Sequence, residues 1–435
     1  MKNIAVVGTG YVGLVTGAGI SDFGSKVCCL DIDKEKIKLL NKGEIPIYEP
    51  GLKALVNRNV KSKRLTFSND IEESIRCAEV IFIAVGTPEK ISGKADILAV
   101  LQVAELIGKN LNNYKAICTK STVPVGTGKQ IIDVINKHNQ NNIEFDYCSN
   151  PEFLREGNAV SDFLRPDRVV LGVSSKKAFD YLKDVYRPLY INKTPLIHTT
   201  IETAEMIKYA ANAFLALKIS YINEVANLCD EVGADINVVS EALGADGRIS
   251  PKFLHPGPGF GGSCFPKDTK ALIHVAKKFG LNMNTVDAAI KTNNYQRIRM
   301  FNKIENLLEG NMKNKKIAVL GLAFKQETDD VRESAAIDII SELMSKGAFI
   351  KAYDPVANDS MKKLIPDIEY KLNWQSAVEE CDAVVIMTEW NEFRGMNLEE
   401  LKKLMFTPII LDTRNILNIS ELKRLKFKFD NVGRK

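Results

Sequence analysis

Residues 4–13 read IAVVGTGYVG, and this stretch decides the fold. The apolar run Ile4–Val7 is typical of a buried strand, and three glycines follow it with the spacing GxGxxG. A second apolar run, Lys26–Leu30, ends one residue before Asp31. A strand, a glycine turn, a helix and a second strand ending at an acidic residue are typical of a dinucleotide-binding βαβ unit.

The residue types in this unit have separate roles. Gly8 permits the tight turn, Gly10 lets the backbone approach a pyrophosphate, and Gly13 lets the helix pack on the strand. Asp31 would accept hydrogen bonds from the ribose hydroxyls and disfavour a 2′-phosphate, which predicts NAD rather than NADP. Lys36 could neutralise the site or be solvated. The alternative is a glycine-rich turn that binds no ligand.

The composition excludes several functional classes. The 435 residues carry a net charge of +5 and are 45% hydrophobic, as in globular proteins, and this charge is too small to indicate nucleic-acid binding. Eight scattered cysteines and only four histidines make a metal site improbable and favour a reducing, cytoplasmic setting. The sequence contains no apolar run of ~18 residues, the length that a membrane helix needs. Glycines interrupt the apolar N-terminus, which argues against a signal peptide.

Apolar runs divide the chain into three regions. The first alternates predicted strands and helices, which indicates a parallel sheet with helical crossovers, and the alternation returns after about residue 308. Between them, Thr203–Val232 is a long helical stretch that is apolar on several sides, as in a spine or a dimer interface. We therefore expect two doubly wound α/β domains, residues 1–199 and 308–435, around a helical middle, 200–307.

The stretch PGPGFGGSCFPKD, residues 256–268, is the most unusual in the chain. Its four glycines and three prolines predict an irregular backbone that could cradle an anion. Cys264 directly follows the glycines, and Lys267 and Asp268 are near enough in sequence to tune a thiolate or move a proton. The alternative is a structural loop with an inert cysteine.

Further candidate residues come in pairs. Glu152 and Glu156 are four apart, so both would project to one side if this turn begins a helix, and one could act as a base for water. Lys208 and Asn212 are four apart on the long apolar helix, where they need partners or could stabilise an oxyanion. Each pair could equally be structural, as could the hydroxyls of Thr87 and Thr122 at two strand ends.

Taken together, these motifs resemble the UDP-glucose/GDP-mannose dehydrogenase family over essentially the whole chain. The motifs occur in the family's order: GTGYVGL, STVPVGTG, NPEFLREG, the helix with Lys208 and Asn212, PGFGGSCFPKD, GLAFK with TDDVRES, and TEWNEFR. The stretches beginning NPEFLREG and TEWNEFR are most similar to the branch that oxidises UDP-glucose.

The resemblance implies an N-terminal Rossmann NAD-binding domain, a central helical domain that makes the dimer, and a C-terminal Rossmann-like UDP-binding domain. It also implies a four-electron oxidation of the sugar 6-hydroxymethyl that reduces two NAD. The first oxidation gives an aldehyde, which a cysteine thiolate attacks. The resulting thiohemiacetal is oxidised to a thioester, and water releases the acid.

The resemblance also assigns roles to residues of this chain. The implied catalytic residues are Cys264 as nucleophile, Asp268 with Thr122 and a water for proton transfer, Lys208 and Asn212 for oxyanions, and Glu152 and Glu156 for thioester hydrolysis. The implied cofactor contacts are Gly8, Gly10, Val12, Gly13, Asp31, Lys36, Thr87, Thr122, Glu156 and Arg332. The implied substrate contacts are Glu152, Phe153, Leu154, Lys208, Asn212, Phe253, Phe260, Gly261, Phe324 and Lys325, with Arg248 lent across a dimer and Arg414 a weaker candidate.

Three alternatives remain at this point. The nearest is a relative that acts on GDP-mannose or a UDP-N-acetylhexosamine. A two-electron dehydrogenase would need Lys208 and Asn212 but no cysteine, so Cys264 and its loop argue against it. A protein that binds NAD without catalysis is the third, and the intact set of motif residues argues against that.

Overall fold

The structure is a computed structural model, and it describes residues 2–90 and 93–434. The chain forms two compact units. The first contains Met1–Ala211 and Lys270–Gly280, and the second contains Asn212–Thr269 and Leu281–Lys435. Each unit is therefore built from two separate stretches of chain. Within the described residues, no helix has the length and apolar character needed to cross a membrane.

An eight-stranded sheet forms the first unit, with strand order β3-β2-β1-β4-β5-β6-β7-β8. All neighbours are parallel except β6 and β7, which are antiparallel. The strands are β1 Asn3–Val7, β2 Lys26–Leu30, β3 Leu65–Ser68, β4 Val80–Ile83, β5 Lys115–Thr119, β6 Phe145–Ser149, β7 Val169–Val173 and β8 Leu196–Thr199. The apolar runs predict five of these strands to within two residues at each end, and these runs are Ile4–Val7, Lys26–Leu30, Val80–Val85, Ala116–Lys120 and Phe145–Cys148. No run predicts β3, β7 or β8.

Both faces of this sheet are buried, which explains the continuous apolar runs of its strands. Ile4 and Val6 contribute to the core on one face, and Ala5 and Val7 to the core on the other. The covering helices are α1 Tyr11–Asp22, α2 Lys34–Asn41, α3 Leu52–Lys61, α4 Ile71–Cys77, α5 Leu98–Lys109, α6 Thr127–His138, α7 Ala159–Leu164 and α8 Lys176–Val185, followed by a 3-10 turn at Arg187–Asn192.

Four helices follow the first sheet: α9 Ile201–Val232, α10 Ile236–Ala245, α11 Phe265–Lys278 and α12 Asn284–Leu307. The predicted long helix is α9, which begins two residues earlier than expected. Its buried side chains include Tyr209, Ala216 and Ile222. Phe214 and Tyr221, seven residues apart on the same face, are 62% and 53% exposed. One side of α9 is thus packed within the chain and another is apolar but open.

The second unit contains a six-stranded parallel sheet with the order β11-β10-β9-β12-β13-β14. Its strands are β9 Lys316–Leu320, β10 Phe349–Tyr353, β11 Glu369–Tyr370, β12 Ala383–Ile386, β13 Ile409–Asp412 and β14 Lys428–Asn431. Its helices are α13 Ala335–Ser345, α14 Asn358–Lys362, α15 Trp374–Val378, α16 Asn391–Arg394, α17 Leu398–Leu404 and α18 Ile419–Arg424. Its strand order matches that of the first six strands of the other sheet, so both sheets are doubly wound.

Candidate functional site

The glycine turn lies at the carboxyl ends of the strands of the first sheet, which we call the ligand edge. Gly8 has φ 104°, and a Cβ there would lie 2.5 Å from the Ala84 carbonyl oxygen. A Cβ on Gly13 would lie 1.9 Å from the Gly8 carbonyl oxygen, whereas a Cβ on Gly10 would meet nothing within 4 Å. Gly10 precedes α1 and offers no side-chain cap. The helix N-terminus is therefore open to an anion, and this arrangement fits a dinucleotide pyrophosphate.

Asp31 follows β2 at the same edge. Its Oδ2 accepts hydrogen bonds from the Thr9 backbone N–H at 2.9 Å and the Thr9 Oγ1 at 2.6 Å, and Lys36 Nζ lies 3.4 Å away. Partial burial opposes the charge, but these hydrogen bonds and Lys36 hold the pKa of Asp31 below its ordinary value. Asp31 is thus ionised at neutral pH and fits an adenosine ribose without a 2′-phosphate.

Two more strand-end turns complete this edge. Thr87 follows β4, and its Oγ1 donates to the Thr122 carbonyl oxygen at 2.9 Å. Ser121, after β5, donates from Oγ to the Val85 carbonyl oxygen at 2.7 Å. The predicted cofactor residues of the first unit therefore share one edge of one sheet, where open α/β sheets bind ligands.

Residues 150–158, which we call the acidic loop, follow β6. This turn does not begin a helix, because helix α7 begins only at Ala159. Asn150 anchors the loop by donating to the Val170 carbonyl oxygen at 2.8 Å, and Gly157 has φ 79°, which interrupts a right-handed helix. Glu152 and Glu156 are therefore not stacked on one helix face.

The first carboxylate of this loop has a definite partner. Glu152 is 5% exposed, and its Oε1 accepts a hydrogen bond from Lys208 Nζ at 2.8 Å. Lys208 is itself 3% exposed, so this is a buried ion pair. Phe153 lies beside it, with the Arg168 guanidinium 3.6 Å from the ring centroid. The structure thus brings together two predicted residues, Glu152 and Lys208.

Two charged residues near this pair were not singled out from the sequence. Glu205 lies one turn before Lys208, and its carboxylate accepts hydrogen bonds from the N–H groups of Gly126 and Gly128, each at 2.7 Å. Burial raises the pKa of Glu205 to about 7. Burial also lowers the pKa of Lys120, at the end of β5, to about 8. The sequence signal that could have identified both residues is a charged residue inside an apolar run.

The cysteine loop, residues 256–264, belongs to the second unit. Its backbone is held by side chains of two helices. Asn223 of α9 accepts from the Gly257 N–H at 2.8 Å, and Gln296 of α12 donates to the Gly257 carbonyl oxygen at 2.9 Å. Asn293 accepts from the Phe260 N–H at 2.7 Å and donates to the Phe260 carbonyl oxygen at 3.0 Å. The loop is irregular, yet its polar backbone is satisfied.

The glycines of this loop allow close backbone packing. The Gly262 N–H donates to the Arg332 carbonyl oxygen at 2.9 Å. A Cβ on Gly261 would lie 2.2 Å from the Glu333 carbonyl oxygen, and a Cβ on Gly262 would lie 2.9 Å from the Phe324 ring. Three predicted ligand contacts, Gly261, Phe324 and Arg332, therefore meet at one place in this unit.

Cys264 immediately precedes helix α11. Its side chain is partly exposed, and its carbonyl oxygen accepts the Asp268 N–H at 2.8 Å. The Ser263 hydroxyl lies 3.5 Å from the Cys264 sulfur. The N-terminus of a helix favours negative charge, so this position suits a nucleophilic thiolate.

Asp268, in the first turn of α11, is completely buried. Its Oδ2 accepts a hydrogen bond from Asn212 Nδ2 at 2.6 Å, and its Oδ1 accepts one from Lys267 Nζ at 2.6 Å. Asn212 is 6% exposed on α9. The predicted pair of Asp268 and Asn212 is thus in direct contact, with Lys267 as a third member.

The remaining predicted residues of the second unit differ in their surroundings. Phe253 adopts φ 66°, and the rings of Phe253 and Phe260 lie 6.0 and 6.1 Å from that of Phe265. Arg414 donates to the Phe324 carbonyl oxygen at 3.0 Å. Arg248, whose side chain is 90% exposed, forms an ion pair with Asp246, two residues earlier, at 2.6 Å. Its predicted role across a dimer stays a prediction.

The chain matches three models of one family along its length. They are described as the NAD binding domain, the central domain and the UDP binding domain of the UDP-glucose/GDP-mannose dehydrogenase family, and they match residues 2–190, 202–295 and 318–419. Two features agree with this description. In chain order, helices α9 to α12 follow the first sheet and precede the second, and the glycine turn lies beside Asp31.

Full-length relatives give the same result. A UDP-glucose 6-dehydrogenase of Bacillus subtilis (strain 168) is 47% identical over 435 residues, covering 100% of this chain and 94% of that protein. One from Rhizobium meliloti (strain 1021) is 46% identical, covering 99% of each chain. A solved UDP-glucose dehydrogenase from Pyrobaculum islandicum has a TM-score of 0.93 at 35% identity, covering 100% and 98% of the two chains. This chain is an NAD-dependent dehydrogenase, and it belongs to the UDP-glucose/GDP-mannose dehydrogenase family.

Proposed function

We propose that this enzyme oxidises the 6-hydroxymethyl group of UDP-glucose to the carboxylate of UDP-glucuronate. One sugar, two NAD+ and one water give one carboxylate, two NADH and three protons. Several relatives with 42–47% identity over the full chain are named UDP-glucose 6-dehydrogenases, which supports this substrate. The alternative is GDP-mannose or a UDP-N-acetylhexosamine, since a UDP-D-ManNAc dehydrogenase of Pyrococcus horikoshii shares the fold with a TM-score of 0.87 at 27% identity.

The observation that carries the proposal is the setting of Cys264. A dehydrogenase that stops at an aldehyde needs no nucleophile. Here a partly exposed cysteine lies at a helix N-terminus, and one turn later Asp268 is buried against Asn212 at 2.6 Å. This combination supports covalent catalysis at the level of the aldehyde.

The proposed first stage forms the aldehyde. Asp268, with Thr122 and a water, takes the proton of the 6-hydroxyl. The NAD bound at the glycine turn would supply the hydride acceptor in both oxidations. Lys208 and Asn212 stabilise the negative charge that develops on the sugar oxygen. Lys208 is suited to this role because its ion pair with Glu152, at 2.8 Å, compensates for the burial of its side chain.

The proposed second stage uses the thiolate of Cys264. Its sulfur attacks the aldehyde carbon to give a thiohemiacetal, and oxidation of that carbon gives a thioester. Water then attacks the thioester carbonyl, the carbon–sulfur bond breaks, and the thiolate leaves. One of the two carboxylates of Glu152 and Glu156 takes up the proton of the attacking water. Phe253, Phe260, Gly261, Phe324 and Lys325 are proposed to bind the nucleotide sugar.

The decisive experiment measures NADH formed per sugar consumed, with UDP-glucose and NAD as substrates. Two NADH per sugar, with UDP-glucuronate as product, is expected. One NADH per sugar would mean that the reaction stops at the aldehyde. Absence of NADH with UDP-glucose, together with turnover of GDP-mannose or a UDP-N-acetylhexosamine, would favour the alternative substrate.

The cysteine can be tested with a matched pair of variants. Cys264→Ser should lower acid formation by at least about a thousandfold, because a hydroxyl is a far weaker nucleophile than a thiolate. Cys77→Ser, at an exposed cysteine, should keep the wild-type rate. Full turnover by Cys264→Ser would rule out the thioester route.

We also propose that the enzyme is a homodimer or a higher homo-oligomer. Phe214, Tyr221 and Leu228 repeat every seven residues along α9 and are 62%, 53% and 61% exposed. Such an apolar stripe on one helix suits an isologous contact with a second copy. Light scattering should give at least twice the 48.4 kDa chain mass, and Tyr221→Glu should lower it. A wild-type monomer at working concentration would contradict this.

Two further proposals concern the domain boundaries and the cellular location. The three-domain division at residues 199 and 307 stays a prediction, and the three matched family models support it. A cytoplasmic location is consistent with the eight cysteines, five of which are buried.

A further inference from the structure

Glu49 is a buried carboxylate that the mechanism above does not use. It lies between α2 and α3 and is 7% exposed. Its Oε2 accepts the Gly157 N–H at 2.7 Å, and its Oε1 accepts the N–H groups of Ala159 and Val160 at 2.7 and 3.4 Å. A buried charge needs several hydrogen bonds, and here backbone groups at the end of the acidic loop provide them.

The same carboxylate also contacts the dinucleotide-binding helix. Tyr11, the first residue of α1, donates its hydroxyl hydrogen to Glu49 Oε2. The Tyr11 hydroxyl in turn accepts the Gly157 N–H at 2.8 Å. Glu49 and Tyr11 together bind one turn of the acidic loop and connect it to helix α1, which begins at Tyr11. We call these two side chains the Glu49 latch.

The turn held by the latch also has local bonds, because the Asn158 N–H donates to the Arg155 carbonyl oxygen at 2.9 Å and Asn158 Nδ2 donates to Asp162 Oδ1 at 2.8 Å. Gly157 is in the left-handed region with φ 79°, and Asn158, which precedes α7, makes no side-chain capping bond. Glu49 supplies the acceptors that a capping residue would otherwise give to the first N–H groups of α7. Glu156 is the residue directly before Gly157, so the latch fixes the backbone that carries it.

We infer that Glu49 is a positioning residue, which holds the acidic loop in the conformation that Glu156 and Glu152 need when water attacks the thioester. This inference rests on the proposed function. It does not make Glu49 a catalytic residue, because Glu49 acts only through the loop. Loosening the latch should therefore slow the release of the acid more than it weakens the binding of either substrate.

The test compares Glu49→Gln with Glu44→Gln, an exposed residue of the same segment. A glutamine keeps the size of Glu49, but it places an NH2 group against a backbone N–H and removes the charge. We expect kcat to fall about tenfold in Glu49→Gln and both KM values to change less than about threefold. Glu44→Gln should match the wild type. Intact-mass analysis of acid-quenched enzyme should show a sugar adduct accumulating on Cys264 in Glu49→Gln.

Tyr11→Phe provides a second, milder variant, because it removes one hydroxyl and keeps the ring. It should show a smaller fall in kcat and the same adduct. Wild-type kcat in both variants would overturn the inference. A fall in kcat that matches a loss of folded protein in thermal unfolding, with no sugar adduct on Cys264, would also overturn the inference. The NADH stoichiometry of the wild-type enzyme decides the proposed function separately, so the two failures can be told apart.

Discussion

In the first sheet the chain passes from β1 to α1 through residues 8–10, whereas residues 321–334 separate β9 from α13 in the second. Both turns begin in the same way. The Gly8 N–H donates to the Leu30 carbonyl oxygen at 2.7 Å, and the Gly321 N–H donates to the Tyr353 carbonyl oxygen at 2.8 Å. Gly8 and Gly321 have φ values of 104° and 93°.

The acidic residues that follow β2 and β10 differ in the kind of donor they have and in their exposure. Asp354 accepts the N–H groups of Leu322 and Ala323 on one oxygen, at 2.7 and 3.2 Å. Its other oxygen accepts those of Val356 and Ala357, each at 3.0 Å, and the residue is only 2% exposed. Two of the donors to Asp31 are side-chain groups, the Thr9 hydroxyl and Lys36 Nζ, and the Asp31 side chain is 13% exposed.

Two sheets with the same strand order thus differ at this turn, so strand order alone does not produce a cofactor site. The first turn enters a helix at once and leaves its N-terminal N–H groups open for a phosphate. In the second unit the residues after Gly321 form a longer segment, and Ser334 caps α13 by accepting the Ala336 N–H. The same acidic position therefore stabilises a turn in the second sheet, whereas in the first sheet we propose that it binds the cofactor.

The largest effect that would test this difference is on stability. Asp354→Asn should lower the free energy of unfolding by about 3 kcal/mol, because a buried carboxylate loses its charge and some of its four backbone hydrogen bonds. Urea unfolding of the full chain measures this, with the exposed Asp359→Asn as control. The preference for NAD over NADP should not change. A shift in that preference would mean that the two acidic residues are not functionally distinct.

An intermediate effect is expected for Asp31→Asn. Loss of the charge should raise the KM for NAD about tenfold, equivalent to about 1.4 kcal/mol, and weaken the preference over NADP because repulsion of a 2′-phosphate is removed. Steady-state kinetics with each cofactor measures this, with Glu35→Gln, whose side chain is 80% exposed, as control. Equal use of NAD and NADP by the wild type would refute the role of Asp31.

The smallest effect is expected for Lys36→Gln. Lys36 is 3.4 Å from Asp31 and its side chain is 30% exposed, so solvent screens much of the interaction. The KM for NAD should rise only about two- to threefold. A rise larger than that of Asp31→Asn in the same assay would show that Lys36 binds the cofactor directly and more strongly than the ribose carboxylate does.

Much of the fold could be predicted because parallel strands buried on both faces leave continuous apolar runs in the sequence. Lys26–Leu30 and Lys316–Leu320 match the predicted strands at both ends. Strands β3, β7 and β8 were missed, and β8 is partly exposed, so it leaves no continuous apolar run. The acidic loop does not start a helix, since Gly157 is in the left-handed region and α7 begins only at Ala159.

For the site, the sequence indicated residue types but not their partners. The pairs Glu152–Lys208 and Asn212–Asp268 are far apart in the chain, and no local pattern predicts that they touch. Glu49 lies outside the chemically distinctive motifs. Its importance depends on backbone N–H groups more than a hundred residues later, which no spacing rule can anticipate.

The division of each unit into two stretches of chain has a consequence for biosynthesis. When β8 leaves the ribosome, Gly126 and Gly128 still lack the carboxylate of Glu205. Lys270–Gly280, which also belongs to the first unit, follows only after Asn212–Thr269 of the second. In many proteins an N-terminal domain is finished before the next one begins. This chain cannot follow that order, because its first unit includes residues that come after part of the second. No single cut separates the two units, and the first unit is complete only when the chain has been synthesised as far as Gly280.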